Sequence, residues 1–347
     1  MKTLLLPFSW MYSWGMMLRN LAFNRAWLLT KELPCPVISV GNLTIGGTGK
    51  TPMVIALAEK LLGMGITPGI ISRGYRRNSK GTMVVSNGHK ILLNSALAGD
   101  EPALMAQRLP KVPVVVDKVR NRGGLALLQK YKPDVILLDD GFQHRWLHRD
   151  LDIVLIDAQQ PIWKEKILPA GRLRESISGL QRADIVIFSR VDEGNLSTED
   201  IKRIKVVSKA PVLQSIHKPK GWVSFQGEVI PLNEEPPMKN PLLISGIATP
   251  KDFEHTIRSI GIIPAAHLVF PDHVNYNPRT LDRIAQEYRK VKADSIITTE
   301  KDLVKLPLML QALRVWALRI SLKVIEGAEE LDQLINKNVV SKLPGKK

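Results

Sequence analysis

The sequence predicts an α/β fold in which a mostly parallel sheet has helices on both faces. Short runs of valine, isoleucine and leucine alternate with helix-like segments along most of the chain. These runs show no polar alternation, which is typical of strands buried on both faces. A glycine-rich segment at residues 44–51 follows the first run and leads into a helix. Because strands separated by helices usually pair in parallel, the three observations together predict one layered architecture.

The length and charge of the chain limit its organisation and its partners. A chain of 347 residues suggests two domains. Its single cysteine, Cys35, excludes an internal disulfide, and no cysteine–histidine cluster has zinc-site spacing. The formal charge of +16 favours polyanionic partners, namely nucleic acid, anionic lipid or phosphorylated substrates, and does not choose among them.

Residues 1–31 are predicted to form a separate segment, rich in aromatic and basic side chains and without acids. Pro7 interrupts its first apolar run, which argues against a secretory signal peptide. Arg19 and Arg25 interrupt any stretch long enough to span a bilayer. Two alternatives remain open. The segment is either a helix lying on an anionic membrane surface, with tryptophans at the headgroups, or an amphipathic helix packed on the protein's own core.

Residues 32–211 are predicted to form the first α/β domain. Strands are expected at residues 36–41, 69–72, 112–116, 134–138, 152–156 and 184–188, and helices at 51–62, 100–109 and 120–131. The rhythm changes near residue 212, where strands at 212–216 and 222–225 flank a Lys-Pro-Lys-Gly turn. This pattern predicts a β-hairpin within a linker at 212–240.

A second, smaller α/β domain is predicted at residues 241–335. Its strands are expected at 242–244, 267–270, 295–298 and 314–318, and its helices at 251–259 and 279–290. Residues 336–347 are expected to be a solvated tail.

Residues 44–51 have the composition and the setting of a phosphate-binding P-loop. The predicted nucleotide-binding residues are Thr44, Ile45, Gly46, Gly47, Thr48, Gly49, Lys50 and Thr51. Glycines let backbone N–H groups approach phosphate oxygens, and the helix N-terminus adds a positive field. Lys50 is expected to reach the β- and γ-phosphates of ATP, and the Thr51 hydroxyl to bind Mg²⁺. The segment departs from the general pattern at Thr44, which replaces the first glycine. The strand–loop–helix setting predicts a fold of the P-loop NTPase type rather than a chance glycine-rich turn.

Two acids, Asp139 and Asp140, end an apolar strand downstream of this loop. A strand that ends in acid beside a P-loop places a carboxylate where it can hold Mg²⁺. Consecutive side chains on a strand point to opposite faces. We therefore expect one aspartate to serve the metal and the other to face a neighbouring group such as His144, and the sequence does not say which.

At this point several motifs resemble those of the tetraacyldisaccharide 4′-kinase family of lipid A synthesis. They are residues 37–52 around the P-loop, Ser72-Arg-Gly-Tyr75, Gly99-Asp-Glu-Pro102, Leu138-Asp-Asp-Gly-Phe-Gln-His144, Leu168-Pro-Ala-Gly-Arg-Leu-Arg-Glu175, Phe270-Pro-Asp-His273 and Thr298-Thr-Glu-Lys-Asp302. The resemblance covers most of the chain in order and spacing. It implies Mg²⁺-dependent transfer of the ATP γ-phosphate to the 4′-hydroxyl of a tetraacylated disaccharide 1-phosphate, giving lipid IVA. It also implies a peripheral location at the cytoplasmic face of the bacterial inner membrane, which favours the membrane-surface alternative for residues 1–31.

The resemblance also suggests roles for individual residues. At a predicted helix start Asp100 is a good N-cap, but the family implies that it takes the proton of the acceptor hydroxyl and that His273 orients it or raises its basicity. Lys50 and Arg174 complete the predicted catalytic group, and the predicted metal ligands are Thr51, Glu101, Asp139 and Asp140. Predicted substrate or supporting residues are Tyr75, Arg120, His144, Arg172 and Glu175.

Three other functions compete with this interpretation. A soluble-metabolite kinase would have no need of the aromatic N-terminus. A nucleic-acid-binding ATPase would suit the charge, but the sparse aromatics after residue 31 do not form a stacking surface, so nucleic acid is not an expected partner. A GTP-binding switch is disfavoured because Ser189-Arg-Val-Asp192 stands where a guanine-reading sequence would have Asn/Thr-Lys-x-Asp.

Overall fold

The computed structural model describes residues 5–194, 196–234 and 238–343. Its strands are β1 Val37–Asn42, β2 Pro68–Ser72, β3 Met83–Asn87, β4 Pro113–Val116, β5 Val135–Asp139, β6 Leu151–Asp157, β7 Ile185–Ser189, β8 Val212–Ser224, β9 Val229–Pro231, β10 Pro241–Ser245, β11 Ala266–Val269, β12 Ser295–Thr299 and β13 Val315–Glu326. Its helices are α1 Leu6–Asn24, α2 Lys50–Gly63, α3 Ser95–Ala98, α4 Asp100–Arg108, α5 Arg120–Tyr131, α6 Thr198–Val207, α7 Pro250–Ser259, α8 Pro278–Lys290, α9 Glu300–Leu303 and α10 Ala328–Asn338.

The strands form one sheet in the order β11-β10-β12-β13-β8-β7-β6-β1-β5-β2-β4-β3, and β9 pairs with β8. The predicted α/β fold with a mostly parallel sheet is confirmed. The antiparallel pairs are β13 with β8, β8 with β9, and β3 with β4. In the described residues the remaining pairs are parallel, so the loops after β1, β2, β5 and β7 lie together at one edge of the sheet.

The linker differs from its prediction. The chain does not turn at the Lys-Pro-Lys-Gly sequence; instead β8 runs unbroken for 13 residues and pairs with β13 along nearly its whole length. Pro219 is tolerated there because the register shifts beside its partner Ile320, and a bulge does not need the missing N–H. The hairpin forms later, where Ser224 accepts a hydrogen bond from Gly227 and the chain returns as β9.

The predicted division into residues 32–211 and 241–335 stays a prediction, because β8 and β13 join all these strands in one sheet. Two apolar clusters lie on strands and helices from Trp222 to Ile320. This part of the chain is called the second half below, and the part before it the first half. The expectation of a solvated tail at 336–347 is wrong for the residues described, up to 343. Val339 and Leu343 are buried, and with α10 they pack on the core of the first half.

The N-terminal helix α1 lies on the first half through a polar face. Ser9 donates to the carbonyl of Ile167, and the Tyr12 hydroxyl donates to the carbonyl of Arg174. Phe23 packs edge-on against Trp146. The opposite face of α1 and the turn after it expose Phe8, Trp10, Met11, Trp14, Met17, Leu18, Trp27 and Leu29. Among the residues described, no helix is long and apolar enough to cross a membrane.

Candidate active site

The P-loop connects β1 to α2 and borders a cleft of about 730 Å³ between the two halves of the sheet. Gly46 and Gly49 have φ angles of +115° and +85°, which side-chain-bearing residues rarely adopt. The loop is held by its own strand and by the end of β7. Asn42 donates to the Thr48 hydroxyl at 2.9 Å, and Ser189 donates to the Thr48 carbonyl at 2.9 Å. These contacts preform the backbone turn that a phosphate would enter.

Asp140 is held in ion pairs at the end of β5. Arg174 donates to its two oxygens at 2.8 and 2.9 Å, and Lys50 Nζ lies 3.6 Å from Oδ1. Burial alone would raise the pKa of Asp140, but Lys50 and Arg174 together hold it below its ordinary value. The expectation that the second aspartate faces His144 is therefore not met, since Asp140 turns to Arg174 and Lys50.

Asp139 has the opposite environment. Ser72 donates to Oδ2 at 2.7 Å, while Oδ1 is buried with no hydrogen-bond partner among the described residues. Burial, then the negative charges of Glu101 and Asp140, raise the pKa of Asp139 to about 7. Buried carboxylates that crowd one another in this way favour a bound cation.

The oxygen donors around Asp139 fit Mg²⁺. Thr51 opens α2 and Glu101 lies in the first turn of α4, and both line the cleft with Asp139. In the described part of the chain no three acids, histidines or cysteines form a metal cage of their own. Mg²⁺ does not require one, since it is usually held by one or two carboxylates together with substrate phosphates and water.

Asp100 and His273 come together from the two halves of the chain. Asp100 is the first residue of α4, but its side chain makes no capping hydrogen bond, and Gly99 occupies the N-cap position. The N-cap alternative is therefore wrong. The carboxylate Oδ2 instead lies 3.0 Å from His273 Nδ1 and 3.5 Å from Lys305 Nζ. Burial alone would raise the pKa of Asp100, but the His273 hydrogen bond and Lys305 hold it below its ordinary value.

Three residues around this pair were not singled out from the sequence. Lys301 Nζ lies 3.0 Å from Asp272 Oδ1 and 3.3 Å from His273 Nε2. Lys305 Nζ lies 2.9 Å from Asp302 Oδ1 and is almost fully buried. The signal for Lys301 and Asp272 was present, because both lie inside motifs that carried the family resemblance. Lys305 lies just beyond the last of these motifs.

The predicted supporting residues are distributed around the site. Glu175 is buried and accepts hydrogen bonds from Arg182, Gln143 and Asn20, so it ties α1 to the loop after β5. Tyr75 is half-exposed at the cleft and packs edge-on against His273, with ring centroids 5.4 Å apart.

Three other predicted residues do not line the cleft. Arg120 is buried, and its guanidinium donates to the Lys118 carbonyl. Burial and then the charge of Arg120 lower the pKa of His144 to about 4, so its ring is neutral at pH 7. Arg172 is ion-paired with Glu165 and supports the P-loop through its carbonyl, which accepts from Ile45 N–H at 2.8 Å.

His217 and Arg190 also touch the P-loop, and sequence reasoning missed both. The buried His217 Nε2 has no partner in the described residues and would lie 2.8 Å from a Cβ placed on Gly49. Only glycine therefore fits at residue 49. Arg190 pairs with Asp157 and Asp252 and approaches the Gly47 carbonyl at 3.4 Å, so it links the loop to the start of α7.

A P-loop and a pair of strand-end aspartates share one cleft with a histidine that contacts a carboxylate, and this arrangement defines a P-loop phosphotransferase. A family model described as tetraacyldisaccharide-1-P 4′-kinase matches residues 1–340. The chain belongs to this family, and it is a kinase.

Individual relatives agree. The chain is 36% identical over 353 residues to a tetraacyldisaccharide 4′-kinase of Pelodictyon phaeoclathratiforme, covering 99% of both chains. It is 35% identical over 337 residues to one of Aquifex aeolicus, covering 96% of this chain and 98% of the relative. A crystal structure of LpxK from Aquifex aeolicus in complex with ATP superposes with a TM-score of 0.80 at 36% identity, covering 97% of this chain and 98% of the other.

Proposed function

We propose that the chain transfers the γ-phosphate of ATP to the 4′-hydroxyl of tetraacyldisaccharide 1-phosphate, giving lipid IVA, and that it does so at a membrane surface. One observation supports this most directly. The P-loop with Lys50 and the start of α4 with Asp100 belong to the first half, His273 reaches Asp100 from the second half, and the P-loop and His273 line the same cleft. A phosphate donor and a hydroxyl acceptor can therefore be held between them.

In this proposal the P-loop amides and Lys50 bind the phosphates of ATP. Arg174 keeps Asp140 ionised and fixed, so that Asp140 anchors the Lys50 ammonium at the base of the cleft. Asp139 offers the free carboxylate oxygen, and with Thr51 and Glu101 it would hold Mg²⁺. The bound ion would neutralise charge on the transferring phosphoryl group.

Asp100 is assigned the proton of the acceptor hydroxyl, and His273 orients the carboxylate through the 3.0 Å hydrogen bond. Glu101, the next residue, faces the proposed metal. The start of α4 therefore contains both the proposed base and a proposed metal ligand, of which Glu101 lines the cleft.

The N-terminal helix is assigned to the membrane surface. Its polar face is occupied by contacts to the protein, whereas Trp10, Trp14 and Trp27 project outward, each more than 60% exposed. Tryptophans at a headgroup boundary and a net charge of +16 suit an anionic lipid surface. The acyl chains of the acceptor would remain in that membrane, which for this family implies the cytoplasmic face of the inner membrane.

The test is a phosphoryl-transfer assay with purified protein, Mg²⁺, γ-labelled ATP and tetraacyldisaccharide 1-phosphate in mixed micelles. We expect label in the lipid, and its loss with Lys50→Ala. Asp100→Asn and His273→Ala should each abolish most turnover while ATP binding, measured by calorimetry, is retained. ATP hydrolysis without labelled lipid would refute the acceptor. Unchanged turnover in either variant would remove that residue from the proposed catalytic group.

A further inference from the structure

Lys301 is placed to control the protonation pattern of His273. Its ammonium lies between the Asp272 carboxylate, at 3.0 Å, and His273 Nε2, at 3.3 Å. The other ring nitrogen, Nδ1, faces Asp100 at 3.0 Å. The Asp272 carboxylate also faces Nε2, but its Oδ2 lies 3.7 Å away, beyond hydrogen-bonding distance, so Lys301 is the nearer partner of that nitrogen. The imidazole is mostly buried.

The chemistry of the two neighbours decides which nitrogen has the proton. A lysine ammonium has three donors and no acceptor, so a nitrogen that hydrogen-bonds with it must present a lone pair. The ionised Asp100 carboxylate has only acceptors, so its partner must be an N–H group. Both conditions are met when Nδ1 has the proton and Nε2 does not. The reverse tautomer would set two donors against each other at Nε2 and two acceptors at Nδ1.

We propose that Lys301 is a positioning residue, which donates to His273 Nε2 and thereby fixes the Nδ1–H tautomer that hydrogen-bonds Asp100. The inference builds on the proposed function, in which Asp100 accepts the proton of the 4′-hydroxyl. It adds that the neutral tautomer of the histidine is set from the far side of the ring by a lysine that follows β12.

Local structure holds Lys301 in this position. It lies in the short helix α9, whose N-cap Thr299 accepts a hydrogen bond from Asp302 N–H. Asp302 in turn accepts from Gly246 N–H at 2.9 Å, which fixes α9 to the end of β10. The 3.0 Å contact with Asp272 Oδ1 holds the ammonium beside the ring. The lysine is therefore constrained at both its backbone and its head group.

This arrangement constrains the route of the proton. During transfer the O–H bond of the acceptor breaks as the new O–P bond forms, and the bond between the γ-phosphorus and its bridging oxygen breaks to release ADP. The proton goes to an Asp100 oxygen. It cannot pass on to Nδ1, which is already protonated, so His273 supports the carboxylate without relaying the proton.

The direct test is the ¹⁵N spectrum of the histidine ring nitrogens in the full-length protein. The chain has seven histidines, and the signals of His273 are identified by their loss in His273→Gln. We expect a protonated Nδ1 and an unprotonated Nε2 at pH 7. Lys301→Met should produce a mixture with the Nε2–H tautomer, and Lys301→Arg should restore the single form, because a guanidinium also has only donors. Lys290→Met, which changes an exposed lysine of α8, is the control and should leave the signals unchanged.

Turnover gives a second readout. Lys301→Met should lower kcat by about 10- to 100-fold and leave the KM for ATP within about twofold, since it misorients a proton acceptor without touching the P-loop. An Nε2–H tautomer or an imidazolium in the unmodified protein would overturn the inference, even if Lys301→Met failed to fold. So would an unchanged ring spectrum in a folded Lys301→Met variant. If Asp100→Asn retained turnover, the proposed base would be wrong, whereas the ring spectrum would still decide the role of Lys301.

Discussion

Replacing both Trp10 and Trp14 by serine tests the assignment of α1 to a membrane surface. The two side chains are 72% and 64% exposed. The polar face of α1, which holds Ser9 and Tyr12 against the protein, is left intact. We therefore expect the double variant to fold as the unmodified protein does and to lose affinity for lipid vesicles only.

The size of the loss follows from the exposed area. An aromatic side chain buries roughly 200 Å² when it leaves water completely. At the observed exposures the two tryptophans together offer about 270 Å² of removable surface. A helix lying in the headgroup region buries about half of this, which at ~25 cal/mol per Å² amounts to about 3 kcal/mol. The partition coefficient should therefore fall by about two orders of magnitude.

The assay is co-sedimentation with vesicles that contain anionic lipid, which attracts basic segments at a membrane surface. The control is the double variant Val206→Ser with Ile263→Ser, which changes two exposed apolar residues outside α1, one in α6 and one after α7, at 86% and 77% exposure. Binding by the double variant equal to that of the control variant would refute the surface assignment. An equal loss in both would show that general stickiness, and not α1, drives binding.

Three further predictions concern the site and the core. Asp139→Asn should reduce kcat at least ~100-fold and raise the Mg²⁺ concentration needed for half-maximal rate, because it replaces the unpartnered carboxylate oxygen; a magnesium titration checks this. Burial, then Arg190, lowers the pKa of His217 to about 4. The folded protein therefore resists protonation of this ring more than the unfolded chain does, and the free energy of unfolding falls by up to roughly 3 kcal/mol as the pH falls from 6.5 to 4. His217→Leu should therefore flatten the dependence of the urea midpoint on pH in that range. Ending the chain after Asn338 removes the buried side chains of Val339 and Leu343 and should lower the free energy of unfolding by about 3 kcal/mol, measured by urea titration.

Local patterns were sufficient to predict that the P-loop and the strand-end aspartates lie at one edge of the sheet. The P-loop and the strand-end aspartates each depend on a few consecutive residues whose types are dictated by phosphate and metal chemistry. The strands β1 and β5 that hold them are apolar throughout, so their existence and burial follow from composition. The P-loop and the two aspartates are also expected to lie close together, because both loops leave the same edge of a parallel sheet.

The linker was mispredicted because its local signal was overridden by distant pairing. Lys-Pro-Lys-Gly has the composition of a turn, yet pairing with β13 holds the segment extended. β13 was itself expected to end at Leu318, and its continuation to Glu326 provides the partner. A bulge forms between two paired strands, so the sequence of one strand alone does not reveal it. The same limit applies to Leu343, whose burial depends on the position of α10 against the first half.

We propose different roles for Asp100, Asp139 and Asp140 because their neighbours differ. Lys50 and Arg174 keep Asp140 ionised and leave it no free oxygen. Asp139 has an oxygen without a hydrogen-bond partner among the described residues, and burial with the charges of Glu101 and Asp140 outweighs Ser72 and Lys50 in setting its pKa, so it favours a metal ion. The sequence cannot assign these roles to the two adjacent residues, because the arginine that distinguishes them comes from a separate loop. In catalytic sites generally, different environments push the pKa values of titratable groups apart, and this difference assigns the acid, base and ligand functions.

Asp100 is the third of these aspartates, and its surroundings limit its strength as the proposed base. Its pKa is held below the ordinary value by His273 and Lys305 against the effect of burial, so it is a weak base before reaction. A weak base suffices if phosphoryl transfer proceeds through a loose transition state, in which the hydroxyl becomes acidic only as its bond to phosphorus forms. Position then matters more than basicity. Because a lysine and a histidine orient this carboxylate, substitutions that preserve its charge but release its orientation should cost nearly as much turnover as removing it.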